Sequence, residues 1–259
     1  MNILYLIIFF LIGLCMGSFY TVVGLRLPKH EDFIANRSYC DHCHHELSFF
    51  DMIPIFSYIF LRGKCRYCNK KIDNISTFME VFTGILFALS YYAFGFSYQL
   101  YIALGIVSML VIISVSDISY YIIPDEVLIF FTGYFLIIYT LNIGVINTFV
   151  NILSGVIMFA IMYTIMLLGN FIFKKESLGG GDIKLMFVIG LVLTPLLGLF
   201  VIFIGSLIAL PISLIILCKQ KKKIIPFGPF LLIAFAFIYF TKIDSKTILD
   251  MMKSLMIMF

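Results

Sequence analysis

Charge is scarce in this chain: 12% of its 259 residues are Asp, Glu, Lys or Arg, against 62% that are hydrophobic, and the mean hydropathy is +1.10. A soluble fold of this length could not bury so much apolar surface, so the shortage excludes an aqueous globular protein and places the chain in a bilayer. Basic residues are absent from the start of the first apolar stretch, Ile3 to Leu25. That stretch also runs too long for the core of a cleaved signal peptide, and it is expected to persist as a helix. No internal repeat, linker or low-complexity segment is present. The net charge of +4 does not point to a nucleic-acid partner, because the basic residues are distributed as membrane orientation requires.

A membrane span takes roughly 20 mostly apolar residues. The apolar runs predict about eight transmembrane helices, near 3–25, 77–95, 99–116, 127–141, 146–173, 183–198, 199–218 and 227–241. The expected fold is therefore an all-α polytopic membrane protein with one polar insert. Its parts are a first helix (1–25), the insert (26–76), a membrane domain (77–241) and a tail (242–259). In the tail, Ile243, Ile248, Leu249, Met252, Leu255 and Met256 recur near helical spacing and predict an amphipathic helix on the outer surface.

Fifteen of the eighteen Lys and Arg residues share one side if the helices alternate. They are Arg26, Lys29, Arg37, Arg62, Lys64, Arg66, Lys70 and Lys71 in the insert, then Lys174, Lys175 and Lys184, then Lys219, Lys221, Lys222 and Lys223. The opposite connections, around Phe96 to Ser97, Asn142 to Gly144 and Thr194 to Gly198, carry none. The positive-inside rule then makes the charged side cytoplasmic and puts the N-terminus outside. Only Lys242, Lys246 and Lys253 run against the trend.

In the insert, Cys40 and Cys43 form one CxxC and Cys65 and Cys68 another, with 21 residues between the knuckles. Four thiolates complete a tetrahedral metal site and leave no position open for substrate, which is the pattern of a structural zinc ribbon. Disulfides would not persist on the reducing side of the membrane. Iron in a rubredoxin-like site is the alternative metal. His42, His44 and His45 stand beside the first knuckle, but four thiolates already suffice. Cys15 and Cys218 fall in apolar stretches and are expected to pack.

Most of the fourteen acidic residues lie in the insert, the loops or the tail, where a solvated charge explains them; Glu80, Asp117, Asp125, Glu126 and Asp182 remain. Asp117 ends an apolar run, and Asp182 follows Gly179, Gly180 and Gly181 just before another. Both are expected where hydrocarbon meets the cytoplasmic headgroups, a depth at which a carboxylate is costly and points to function. Helix capping is the plain alternative for Asp182. Three glycines beside a carboxyl allow close backbone approach, as a site that admits a peptide requires. The same turn could cradle a phosphate, but an Asp at its mouth would repel one. Two neighbouring carboxyls cannot both ionise easily, so one keeps a proton while the other acts as base. Such a pair can activate water against a peptide bond without a covalent nucleophile.

Asp117-Ile-Ser-Tyr-Tyr-Ile-Ile-Pro-Asp125 and Gly179-Gly-Gly-Asp182-Ile-Lys184-Leu resemble the two signatures of type IV prepilin peptidases, membrane aspartyl proteases of the Gly-x-Gly-Asp type. Gly17-Ser18-Phe19, Arg26-Leu27-Pro28, Ile53-Pro54, Leu61-Arg62-Gly63 and the four cysteines are similar to the family's N-terminal half. The resemblance implies that Asp117 and Asp182 are the catalytic pair, with Gly179, Gly180, Gly181 and Lys184 supporting it. Asp125 is read instead as a cap for the helix that follows it. By the same resemblance the substrates are prepilin or pseudopilin precursors, cleaved at the cytoplasmic face of a bacterial inner membrane. Methylation of the new N-terminus with S-adenosylmethionine, involving Glu80, is implied as well. The chain departs from the family at Asp73 to Glu80, where Glu80 stands without the usual basic residues and proline, and at Thr21, where Asn is usual.

Two other classes fit parts of this pattern. A proton-coupled transporter also carries isolated acids in a helical bundle, but its carboxylates usually lie near the midplane and its fold often repeats internally. A non-catalytic membrane adaptor, docking a partner through the ribbon, leaves the Gly-Gly-Gly-Asp run without a purpose.

Overall fold

A computed structural model describes residues 2–33, 39–40, 42–43, 45–71, 74–175, 178–220, 225–245 and 247. Most of the expected amphipathic tail lies outside the described residues, as do Arg37, Asp41, His44, Asp73, Glu176 and Lys221 to Lys223. The described residues form α1 (Ile3–Arg26), α2 (Phe56–Phe60), α3 (Asn74–Phe94), α4 (Tyr98–Tyr120), α5 (Asp125–Ile143), α6 (Val145–Phe173), α7 (Gly180–Val192), α8 (Pro195–Gln220) and α9 (Gly228–Phe240). Apart from the short α2 in the insert, these are the eight apolar helices expected. Six of them are long and apolar enough to cross a membrane, whereas α7 and α9 have 13 residues each.

Local chemistry sets the ends of these helices. Asn2 caps α1, its side chain accepting the Leu4 N–H at 3.1 Å. A single residue, Gly144, joins α5 to α6 at φ +82°, a left-handed conformation that glycine adopts without steric penalty. Leu193 is extended (φ −110°, ψ 154°) and ends α7, and Pro195 then opens α8. Proline suits that position because the first turn needs no N–H from it. The expected boundary near 198/199 is therefore corrected to Leu193–Thr194. The apolar run through this region has no charge to punctuate it, and the break is made by Pro195.

At the centre stands α4, buried along almost its whole length from Leu100 to Asp117. Around it, α1 packs on α3, α6 on α7, and α9 on α4 and α8. Close approach depends on small residues, as is usual where lipid gives helices little hydrophobic reason to associate. A Cβ added at Gly17 would lie 2.8 Å from Glu80 Cα, and one at Gly190 would lie 2.8 Å from Gly155 Cα.

The short α7 ends inside the bundle. It is roughly 20 Å long, and its last turn meets α6 around Ser154, about 14 Å along α6 from its start. Carbonyls left open there need donors, because hydrocarbon supplies none. Ser154 donates to the Leu193 carbonyl at 2.8 Å, and the Tyr139 hydroxyl lies 3.5 Å from the Val192 carbonyl.

Leu27 to His30, the turn 121–124, Gly179 and Gly228 gather at one end of the bundle. At the opposite end Tyr239 donates to the Gln99 carbonyl at 3.1 Å and Lys242 to the Ala93 carbonyl at 2.7 Å.

Candidate active site

Asp117 lies on α4, 19 residues beyond Tyr98, or about 28 Å along the helix. That is close to the thickness of a bilayer core. The helix does not stop at Ser116 as expected but continues to Tyr120, so Asp117 sits within its last turns. Tyr121 closes the helix in the left-handed conformation (φ 59°), its N–H donating to the Asp117 carbonyl at 2.9 Å. Ser116, fully buried, donates to the Ile122 carbonyl and folds the following turn back over the helix end.

Asp182 is the third residue of α7, in its first turn, with Gly179 in the capping position. It is not a cap: no side-chain capping bond is made, and its Oδ1 is buried without a hydrogen-bond partner among the described residues. Asp117 and Asp182 are 6% and 9% exposed, too little for either to be a solvated surface charge. They line one cavity of about 510 Å³. Leu27, Pro28 and His30 from the start of the insert and Gly179 to Asp182 contribute to its wall.

Three helix beginnings converge here. The N–H of Gly228, at the start of α9, donates to Asp117 Oδ2 at 3.0 Å. The Ile123 side chain is wedged between α7 and α9: an added Cβ would lie 2.9 Å from it at Gly181 and 3.1 Å from it at Gly228. Gly180, by contrast, has nothing within 4 Å of an added Cβ among the described residues, so their wall is open at that point. At the rim, Lys184 Nζ lies 2.8 and 2.7 Å from the two oxygens of Asp125. The expected capping role of Asp125 is corrected: Pro124 occupies the capping position, and the Asp125 side chain is turned to Lys184.

In the insert, the two knuckles repeat one backbone pattern. The Cys40 N–H donates to the His45 carbonyl at 3.0 Å and the Cys65 N–H to the Lys70 carbonyl at 2.9 Å. Antiparallel bridges join Tyr39 to Glu46 and Lys64 to Lys71 in the same register. The four Sγ atoms of Cys40, Cys43, Cys65 and Cys68 all lie within 4.8 Å of one another, with Cys40 and Cys68 at 3.9 Å. A tetrahedral zinc site with sulfur at about 2.3 Å has S–S edges of roughly 3.8 Å, so the cluster fits that ion. Backbone hydrogen bonds from Cys43 and His42 draw the Cys40 thiol down towards ionisation. Among the described residues no histidine joins the group, and His45 lies against the Tyr67 ring with centroids 3.6 Å apart.

The family described as "Type IV leader peptidase family" matches residues 104–214, and "Bacterial Peptidase A24 N-terminal domain" matches residues 11–94. A prepilin leader peptidase/N-methyltransferase of Bacillus subtilis is 35% identical over 86% of this chain and 88% of its own length. The chain belongs to the type IV leader peptidase family. Relatives of the same name from Myxococcus xanthus and Vibrio cholerae are 32% and 30% identical, over 74% and 93% of this chain and 57% and 98% of their own lengths. No solved structure gives a significant match.

In this leader peptidase family chain, Glu80 ties together parts of the N-terminal matched region. It is 6% exposed, and its Oε2 accepts the N–H of Ile55 at 3.0 Å, joining the insert to α3 beside Gly17 of α1. Ile55 holds a left-handed backbone (φ 63°), uncommon for a β-branched residue, and this hydrogen bond is one of the restraints that keep it there. Glu80 thus has a structural duty at the junction of the insert and α3. Reading the sequence missed Gly228 and the Asp125–Lys184 pair. A signal for the first was present in Pro226-Phe227-Gly228-Pro229, a glycine among prolines at a helix start.

Proposed function

We propose that this chain is an aspartyl leader peptidase of a bacterial inner membrane. It cleaves type IV prepilin or pseudopilin precursors at the cytoplasmic face, with Asp117 and Asp182 as its catalytic pair. The observation that carries this reading is the open cavity that the two buried carboxyls line together beside Gly180. With both carboxyls buried at one cavity, the two share a proton. One carboxyl takes a proton from water as it attacks the scissile carbonyl, and the other gives its proton to the reacting amide. A precursor whose apolar segment lies in the bilayer brings its leader junction to this depth. The basic residues of the insert, Lys174, Lys175 and Lys219 orient that end towards the cytoplasm.

Zinc in the four-cysteine cluster would hold the insert together; a closed thiolate set supplies structure and not a reacting water. The names of the relatives favour a second activity, N-methylation of the newly exposed amine with S-adenosylmethionine. Neither family match favours transport or a purely adaptor role.

The test is cleavage of a prepilin-type precursor in membranes. Asp117→Asn and Asp182→Asn should each abolish it while the purified proteins unfold at the temperature of the unsubstituted chain. Cleavage at the unsubstituted rate by either variant removes the assignment. Mass spectrometry of the product's N-terminus reads methylation in the same reaction, and an unmodified amine with S-adenosylmethionine present rejects it.

A further inference from the structure

We propose that Asp125 and Lys184 are positioning residues of this site: their ion pair ties the turn after Asp117 to the helical turn that carries Asp182, and so fixes how the two carboxyls face each other. The proposal rests on the leader-peptidase reading. Asp125 begins α5 eight residues after Asp117, and Lys184 lies two residues after Asp182. Between Asp117 and Asp125 the chain is already held by Ser116 on the Ile122 carbonyl, by Tyr121 on the Asp117 carbonyl and by Ile123 between two glycines. The two-oxygen contact of Lys184 is the outermost tie of this series, at the rim of the same cavity.

Local energetics single out the lysine. An acidic residue at the start of α5 is favoured by the helix dipole with or without a partner. A cation just past the first turn of α7 gains nothing from the dipole of that helix, so the placement of Lys184 is explained by its partner and not by its own helix. The side chains are 51% and 56% exposed, and such a pair adds little to global stability. What it supplies is registry between α5 and α7. A misplacement of about 1 Å at a reacting centre can lower turnover roughly 100-fold, which is how a weak pair acquires a strong effect on catalysis.

The experiment uses the full chain in detergent with a prepilin-type precursor, measuring kcat and KM separately. Asp125→Asn and Lys184→Gln should each lower kcat by about 10- to 100-fold with KM changed less than about threefold. The exchanged variant, Asp125→Lys with Lys184→Asp, should recover kcat to within about fivefold of the unsubstituted chain, because the tie is remade with its signs reversed. Lys184→Arg keeps the charge and the reach to a carboxylate and should stay within about threefold, even if the exchanged variant does not fold. Unchanged kcat in both single variants overturns the proposal. A folded exchanged variant no better than the worse single variant overturns it too, since the lysine would then be acting on substrate. Loss of kcat in Lys184→Arg has the same consequence. If the unsubstituted chain does not cleave the precursor at all, the leader-peptidase reading fails and not the tie.

Discussion

The three glycines before Asp182 are chemically alike but stand in different surroundings, and alanine substitution should separate them. At Gly181 an added Cβ would lie 2.9, 3.3 and 3.4 Å from Cβ, Cγ1 and Cδ1 of Ile123. Carbon atoms rest at about 3.5–4.0 Å, so Ile123 must retreat by roughly 0.6–1 Å. Overpacking of this kind costs about 1–3 kcal/mol. At about 2–4 °C per kcal/mol for a chain of this size, the unfolding temperature of Gly181→Ala should fall by about 2–12 °C. Ile123 cannot move alone, because it belongs to the turn that closes on Asp117 and also touches Gly228. With the carboxyl displaced, kcat should fall about 100-fold. At Gly180 the added methyl meets nothing, and alanine suits the helix slightly better, so Gly180→Ala should unfold no earlier than the unsubstituted chain. Its cleavage should show a raised KM if a substrate backbone passes that open point. Differential scanning fluorimetry in detergent, run beside precursor cleavage, reads both quantities. Equal unfolding temperatures for Gly181→Ala and Gly180→Ala would refute the wedge argument, as would full turnover in Gly181→Ala.

Other outcomes follow from separate parts of the fold. Ser154→Ala leaves the Leu193 carbonyl without its donor inside the bilayer and should cost about 0.6–1.7 kcal/mol; an unchanged unfolding temperature counts against a buried end for α7. Metal analysis should give about one zinc per chain, and Cys65→Ser, at a buried ligand position, should lose it; a zinc-free, well-folded preparation rejects the ribbon. Asp51 tests the insert by pH. Its burial opposes charge, but the Ser48 hydroxyl and N–H (2.7 and 3.1 Å), Arg66 (Nε at 2.8 Å) and Tyr67 together hold its carboxyl below the usual range. A pKa lowered in the folded state means a contribution complete above the unfolded value of about 3.9 and lost as pH falls through the folded one. Asp51→Asn should therefore speed hydrogen exchange across residues 48–67 by an amount worth about 1–2 kcal/mol at neutral pH. The difference should close in acid, and one that persists undiminished there contradicts the assignment.

The helices were legible because lipid demands long uncharged runs, and each run was read with small errors at its ends. The largest error, the α7–α8 break, arose where consecutive apolar residues give no periodic or charged mark, leaving Pro195 as the sole signal. Asp117 and Asp182 were legible for the opposite reason: an acid at the edge of hydrocarbon stands out against its surroundings. The partners of these residues were not. Lys184 and Asp125 are 59 positions apart, and Gly228 is 111 positions from Asp117. No local pattern encodes such a meeting; it exists only once α5, α7 and α9 are packed. Asp125 was misread because an acid at a helix start is favoured by capping and by the dipole alike, and only its partner shows what the side chain does.

The amide that Gly228 offers to Asp117 has a consequence for the order of events during synthesis. Both aspartates leave the ribosome well before α9 does, yet the cavity between them has neither that amide nor the wall α9 forms until this helix is in place. On the proposed reading of Asp117 and Asp182, a chain without α9 lacks a complete site, so cleavage would begin only once the membrane bundle has assembled around the pair.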